Sequence, residues 1–243
     1  AAFAVARAPF LKFERIVVVP ESEKISGEPI YSPRISSEEV VAYLEAEVLP
    51  ERALARILGS KHFFSWPDAF HESDFLFFPR VRRVRVEKNY AERILTLKVT
   101  ERKPVGVWCA AKQLSERCFW FDEDGIAFEK SFSVQGNLIV AVNDYSTETM
   151  ELGARILSPQ LTPRLLSILR VIRESELGFS EIRLNDIALQ EIEARVYEGP
   201  KIYFSLRFPS ENALGVIQSL AEKPEFWKLS YIDFRVENRA YYK

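Results

Sequence analysis

The sequence predicts an α+β protein of two domains, and three observations lead to this fold class. Residues 13–103 show strand-like and helix-like patterns in the order strand, helix, helix, strand, strand. After Pro104 the chain changes to short aromatic and β-branched runs separated by turn residues. Hydrophobic residues make up 47% of the 243 residues and charged residues 28%, which is the composition of a folded chain long enough for two cores.

The first domain is delimited by helix caps and by proline. Ser36 and Glu39 form a capping-box pattern at a helix start, and a second short helix begins at Pro50 and stops at Gly59. The predicted elements are a strand at 13–19, helices at 36–48 and 50–59, a weaker helical segment at 68–75, and strands at 81–86 and 94–99.

The second domain is predicted to be larger and mostly antiparallel, with two flanking helices. Thr162 and Pro163 indicate the start of one helix; Ser210 caps the other, which Pro224 ends. The predicted strands cover residues 105–108, 119–121, 125–128, 138–142, 182–184, 191–197, 202–208 and 231–236.

Cys109 and Cys118 are the only cysteines of the chain. If Trp108 faces Phe119 in an antiparallel hairpin, the two cysteines lie directly opposite, at a separation that permits a disulfide. The alternative is a pair of reduced cysteines packed against each other.

The residue types that support catalysis or metal binding are sparse. His62 and His71 are nine residues apart, as are the two cysteines, whereas structural zinc ligands come in pairs about two to five residues apart. Residues 122–125 predict a polar turn with Gly125 at positive φ rather than a calcium loop. A formal charge of −2 argues against nucleic-acid binding. We therefore expect a non-enzymatic protein without a cofactor, metal or small-molecule substrate.

Two stretches have two interpretations each. Four arginines in residues 80–85 form either a solvated strand face balanced by Glu87 and Glu92, or a surface that attracts anionic lipid or an acidic partner. The apolar residues 1–6 are either the last turns of a membrane helix or a frayed apolar end.

Four stretches carry a resemblance to a known family: residues 79–86 (PRVRRVRV), 95–105 (LTLKVTERKPV), 121–128 (FDEDGIAF) and 231–243 (YIDFRVENRAYYK). In this order and spacing they resemble segments of the FtsQ/DivIB family of bacterial cell-division proteins. The first resembles the second strand of the family's POTRA domain, and the second resembles its third strand, which ends in Glu-Arg-x-Pro-Val. The third resembles the family's aromatic-Asp-x-x-Gly hairpin, and the fourth resembles its final strand. The resemblance covers residues 13–243. Residues 20–35 depart from it, because they are longer and more polar than the family's usual turn.

The resemblance implies a POTRA-like βααββ domain at 13–103 and the family's β domain at 104–243, with 1–12 as the end of a membrane anchor or a linker. It implies a single-pass inner-membrane protein whose bulk is extracytoplasmic, at the division septum. It further implies a non-enzymatic scaffold of the divisome that recruits the FtsB and FtsL proteins. The alternatives are another POTRA-type interaction module, of outer-membrane assembly or secretion, and a Cys-dependent hydrolase or redox enzyme.

The closing segment, residues 231–243, is the predicted partner-binding site. Ile232, Phe234 and Val236 alternate with polar residues, so one face can pack on the domain while the strand accepts a partner strand at its edge. Arg235, Arg239, Tyr241 and Tyr242 are residue types enriched at interface hot spots. The predicted partner-binding residues are Tyr231, Arg235, Val236, Arg239, Ala240, Tyr241 and Tyr242. The resemblance points to this same strand as the docking edge for the FtsB protein. The alternative is that the tyrosines complete the core.

Overall fold

The computed structural model describes residues 9–21, 35–111, 117–132 and 139–243. The expectations for residues 1–6, for most of the loop at 20–35 and for the turn of the cysteine hairpin lie outside these ranges. The chain divides into two compact units, Ala1–Arg102 and Lys103–Lys243, next to the proline where the sequence changes character. Among the described residues, no helix is long and apolar enough to cross a membrane.

The first unit contains a four-stranded mixed sheet. Its strands are β1 (Arg15–Pro20), β2 (Ala69–Phe70), β3 (Val81–Asn89) and β4 (Ile94–Glu101), in the order β1-β4-β3-β2. β1 runs parallel to β4, and the other two pairs are antiparallel. Alternating Val and Leu side chains of β3 and β4 are buried in the core of this unit, because successive residues of a strand point to opposite faces.

Two helices connect β1 to the rest of this sheet. Helix α1 (Ser37–Tyr43) begins with the predicted capping box, in which the Ser36 hydroxyl accepts from the Glu39 N–H at 3.1 Å. The chain continues as a π-helical turn (Leu44–Val48) and a 3₁₀ turn (Leu49–Glu51). Helix α2 (Ala53–Leu58) ends at Gly59, whose φ is 82°. Gly59 adopts this conformation without the strain that a Cβ atom introduces.

The predicted third helix at residues 68–75 is wrong. Residues 69 and 70 form β2 against β3, and a 3₁₀ turn follows at Glu72–Phe75. Phe70 and Phe75 are buried, with ring centroids 6.5 Å apart. Burial of both rings beside the sheet outweighs the weak local helical preference, since propensity is readily overridden by tertiary packing.

The arginine-rich face of β3 is partly neutralised by a residue that the sequence pattern did not indicate. Glu21, which follows β1, lies 3.0 Å from Arg85 and 3.8 Å from Arg83. Glu87 pairs instead with Lys98 on β4. Glu21 therefore balances these two arginines, in place of the predicted Glu87 and Glu92.

Arg102 ends the first unit as a buried cation, with 1% of its side chain exposed. Its Nε donates to the carbonyl of Pro79 at 2.9 Å, and its Nη2 lies 2.6 Å from a carboxylate oxygen of Glu72. A buried charge is tolerated only when it is paired and hydrogen-bonded. The Arg of the Glu-Arg-x-Pro-Val segment thus ties the end of β4 to the residues that precede β3.

The second unit contains a nine-stranded mixed sheet. Its strands are β5 (Gly106–Ala110), β6 (Arg117–Phe121), β7 (Ala127–Ser131), β8 (Ala141–Asp144), β9 (Phe179–Leu184), β10 (Glu191–Val196), β11 (Lys201–Ser205), β12 (Tyr231–Phe234) and β13 (Tyr241–Tyr242). The order across the sheet is β13-β12-β11-β10-β9-β8-β5-β6-β7. Strands β5 and β8, β8 and β9, and β11 and β12 pair in parallel, so antiparallel pairing is less dominant than predicted.

The parallel pairs follow from the connections. Parallel neighbours need a long crossover, and helices α3 (Thr162–Glu174) and α4 (Ala213–Ala221) lie in the connections from β8 to β9 and from β11 to β12. The helix starts differ slightly from the predicted ones, since Leu161 and Asn212 are the N-cap residues. Both helices pack on one face of the sheet, over a core that includes Trp108, Phe121 and Phe204.

The cysteine hairpin has the register that the aromatic residues indicate. Trp108 lies opposite Phe119, and Cys109 lies opposite Cys118 with a Cα–Cα distance of 4.0 Å. The two sulfur atoms form a disulfide that is buried on the sheet face opposite the helices, together with Val107. The structure therefore contains no free cysteine.

Candidate partner-binding site

The closing residues form two strands rather than one. β12 lies between β11 and β13, and β13 is the strand at the end of the sheet. Between them, the chain turns at Asn238 (φ 58°), and the Arg239 N–H donates to the carbonyl of Val236 at 3.1 Å. The predicted strand at 231–236 is therefore one strand away from the edge, and residues 241 and 242 provide the edge itself.

The register of β13 determines which of its backbone groups point away from the sheet and are available for pairing with a further strand. Lys243 exchanges two backbone hydrogen bonds with Tyr231, with N–O distances of 3.2 and 3.4 Å. Hydrogen-bonded and non-hydrogen-bonded pairs alternate in an antiparallel ladder. Tyr242 and Ala240 consequently direct their backbone groups away from β12. Among the described residues, no strand lies beyond them.

The side chains of β13 are exposed. Tyr241 is 47% and Tyr242 is 56% exposed, and neither belongs to the core of this unit. Ala240 is half-buried and packs against that core. The interpretation that the two tyrosines complete the core is therefore wrong, whereas Ala240 does pack on it.

Arg235 is held by its own unit. Its guanidinium contacts Asp233 at 2.6 Å and Glu191 at 2.9 Å, and it lies over the ring of Tyr203 at 4.8 Å from the centroid. The hydrogen bond to Asp233 and then that to Glu191 raise the pKa of Arg235, and the same pairing lowers the pKa of Asp233. Arg235 thus stabilises the outer face of β10 to β12.

Tyr231, Val236 and Arg239 occupy three different environments. Tyr231 is half-buried, with its ring centroid 6.5 Å from that of Tyr203. Val236 and Arg239 are exposed in and beside the turn, where an Nη of Arg239 lies 3.4 Å from the hydroxyl of Tyr241. The structure therefore brings Val236, Arg239, Ala240 and the two tyrosines together at one edge, while Tyr231 and Arg235 lie on the sheet face.

A small apolar groove of about 160 Å³ adjoins this edge. Phe208 and Val216 line it from the side of α4, and Val236 and Ala240 line it from the closing segment. Asn212 donates to the side-chain carbonyl of Asn238 at 3.1 Å, which connects the two walls. The sequence pattern did not indicate Phe208 or Val216, because their proximity to the closing turn depends on the position of α4.

The other edge of the sheet, β7, is partly covered. The Ala127 N–H donates to the carbonyl of Ala154 at 2.9 Å, and the Gly153 N–H donates to the carbonyl of Ala127 at 2.7 Å. Lys130 is an exposed charged residue near the end of the strand, and lysine on an edge strand disfavours pairing with another chain. The two edges differ accordingly, and β13 is the one that has no covering segment among the described residues.

The remaining sequence candidates have local structural roles. His62 is buried, and its Nδ1 accepts from the Phe64 N–H at 3.2 Å. His71 precedes the 3₁₀ turn, and its N–H donates to Asp74 at 2.9 Å. In the part of the chain that the structure describes, no group of three or more His, Cys, Asp or Glu side chains could hold a metal ion.

Residues 122–125 form the predicted polar turn. A side-chain oxygen of Asp122 accepts from the N–H groups of Asp124 and Ile126, at 3.1 and 2.9 Å, and Gly125 has a φ of 73°.

No protein-family model matches the chain, and a search of the curated proteins returns no significant match.

Proposed function

We propose that this chain is a protein-interaction scaffold of the FtsQ/DivIB type, and that it captures the FtsB and FtsL division proteins by strand addition at β13. The first unit serves as a POTRA-like module, and the second unit carries the docking edge. In this proposal the whole protein is a single-pass inner-membrane protein of the division septum, with both units on its extracytoplasmic side.

The observation that carries the proposal is the outward register of β13. Tyr242 and Ala240 present backbone groups that a partner strand can pair with, and the main-chain bonds of such a pairing supply affinity. Tyr241 and Tyr242 supply exposed aromatic area of the kind enriched at binding hot spots. The adjoining groove is a place for an apolar side chain of the partner.

Two further features support this class of function. The first unit has the order strand, helix, helix, strand, strand, with β2 as an added short strand, and this order supports the proposal of a POTRA-like module. Both cysteines share one disulfide, whereas a Cys-dependent hydrolase needs a thiolate.

The decisive experiment compares proline substitutions on the two edges of the same sheet. Ala240→Pro removes the outward N–H of the residue that directly precedes β13. Lys130→Pro removes an outward N–H of β7. Cys109 and Cys118 form a non-hydrogen-bonded pair, so Cys118 bonds to Ser131 on β7, and the next residue of β7, Lys130, directs its N–H away from β6. Binding of the extracytoplasmic segments of FtsB and FtsL is measured by calorimetry, alongside thermal unfolding of each variant.

We expect Ala240→Pro to weaken binding at least about tenfold, because a lost hydrogen bond that leaves a buried group unpaired costs about 1–3 kcal/mol. Lys130→Pro should bind as the unchanged protein does. Undiminished binding by Ala240→Pro would place the docking site elsewhere. Equal loss in both variants would show that the sheet as a whole, rather than β13, is required.

A further inference from the structure

A second, larger cleft lies in the same unit and is separate from the β13 edge. It has a volume of about 590 Å³ and opens where β5, β8 and β9 begin, beside the last turn of α3. Three strands separate β9 from β13 in the sheet. Its volume falls within the range of about 300–1,000 Å³ that small-molecule sites occupy.

One wall of the cleft is apolar and aromatic. Trp120, Ile139 and Ala141 line it, and all three pack against the small cluster formed by the Cys109–Cys118 disulfide and Val107. The disulfide joins the two strands of the hairpin that carries Trp120. The bridge therefore fixes the position of the aromatic ring in this wall.

The part of the lining formed by Asn143 and Glu181 is polar. A side-chain oxygen of Glu181 accepts from the hydroxyl of Tyr145 at 2.9 Å and from the amide of Asn143 at 3.4 Å, and Arg183 also pairs with this carboxylate. Partial burial by itself would raise the pKa of Glu181. The hydrogen bonds that its carboxylate accepts, of which the one from Arg183 has the largest effect, outweigh burial and lower this pKa overall. The carboxylate is thus charged at neutral pH and held in place.

Several polar groups of the cleft have no hydrogen-bond partner among the described residues. They are the side-chain carbonyl of Asn143, the carboxylate of Glu176 and the indole N–H of Trp120. The cleft therefore offers both donors and acceptors to a ligand, next to an aromatic surface.

This combination of groups favours one class of ligand. A phosphate-bearing ligand needs an excess of cationic donors, but the described lining contains one arginine, Arg173, and two carboxylates, those of Glu176 and Glu181. A purely apolar ligand would leave the polar wall without partners, which is costly. A sugar ring has an apolar C–H face for an aromatic ring and hydroxyl groups that both donate and accept.

We propose that this cleft is a binding site for a neutral oligosaccharide, in which a sugar ring stacks on Trp120 and the side chain of Asn143 forms a hydrogen bond with a sugar hydroxyl.

The experiment titrates the protein with chitotetraose and with maltotetraose, which differ in their acetamido groups, and measures binding by calorimetry. Trp120→Ala and Asn143→Ala are compared with Trp227→Ala. Trp227 is an exposed tryptophan of the same unit that does not line the cleft.

At least one of the two saccharides should bind with a Kd of about 1 mM or tighter. Trp120→Ala and Asn143→Ala should each weaken binding at least about tenfold, and Trp227→Ala should not change it. Asn143→Ala keeps the result decisive if Trp120→Ala fails to fold, because Asn143 lies outside the apolar cluster. Binding of neither sugar, or equal binding by all three variants, overturns the proposal. Binding of an anilinonaphthalene dye that Trp120→Ala abolishes, without sugar binding, would assign the cleft to an apolar ligand instead.

Discussion

Removal of the Cys109–Cys118 bridge should destabilise the second unit by about 3 kcal/mol. The cysteines are nine positions apart and close a loop of about ten residues; the chain-entropy model assigns about 3 kcal/mol to a loop of this length, through the restricted unfolded state. For a unit the size of Lys103–Lys243 this corresponds to a decrease of about 10 °C in Tm. Both sulfur atoms are buried, so the double variant Cys109→Ala/Cys118→Ala also loses some packing.

Urea unfolding followed by tryptophan fluorescence measures this effect, because Trp108, Trp120 and Trp227 all lie in the second unit. The oxidised protein should be the most stable form. Addition of dithiothreitol should lower its free energy of unfolding towards that of the double variant, and the double variant should not respond to the reductant. If the free energies of unfolding of the oxidised protein and the double variant agree within about 0.5 kcal/mol, the bridge does not restrict the unfolded chain as the chain-entropy model requires.

Four other perturbations follow from single positions. Arg102→Leu should destabilise the first unit by about 1–3 kcal/mol, because it removes the hydrogen bonds that the guanidinium makes with the Pro79 carbonyl and the Glu72 carboxylate; an unaltered free energy of unfolding in urea would contradict this role. Gly125→Ala should cost more than about 1 kcal/mol, since Gly125 has a φ of 73° and a Cβ atom would lie 2.8 Å from the Thr162 hydroxyl. Gly215→Ala, in the first turn of α4 with nothing within 4 Å of the added Cβ atom, should stabilise by about 0.5 kcal/mol; thermal unfolding of both glycine variants distinguishes these signs. Asp233 has a lowered pKa through its bond to Arg235, so its contribution to stability is present above the ordinary carboxyl pKa and is lost as the pH falls through the lowered value. Asp233→Asn should therefore flatten the acid limb of the stability–pH curve, and an unchanged limb would show that the pair contributes nothing.

Local signals predicted most of the secondary structure. The capping box at Ser36 and Glu39 and the apolar alternation in β3 and β4 specify their elements through neighbours a few residues away. The register of the cysteine hairpin is also a local property, because facing aromatic residues align the two strands. The error at residues 68–75 arose where burial of Phe70 and Phe75 outweighed a weak helical pattern.

The candidate site was predictable only in part. The composition of residues 231–243 indicated an interaction segment, and the alternation of Ile232 and Phe234 indicated which face is buried. Which strand forms the edge depends on the turn at Asn238, which returns the chain to pair with β12. The role of Arg235 depends on Glu191, which is 44 residues away in sequence.

The sequence by itself thus determined the α+β class, the approximate positions of most helices and strands, and the alignment of the two cysteines, because each depends mainly on interactions over a few residues. The tertiary structure alone decided the strand order, the outward register of β13 and the placement of Trp120 and Asn143 in the lining of one cleft. These features depend on pairings between distant segments, whose selection is governed by the packing of helices α3 and α4 on one face of the sheet. No local pattern carries that information, since the same alternating strand can pair with several neighbours of similar hydrophobicity.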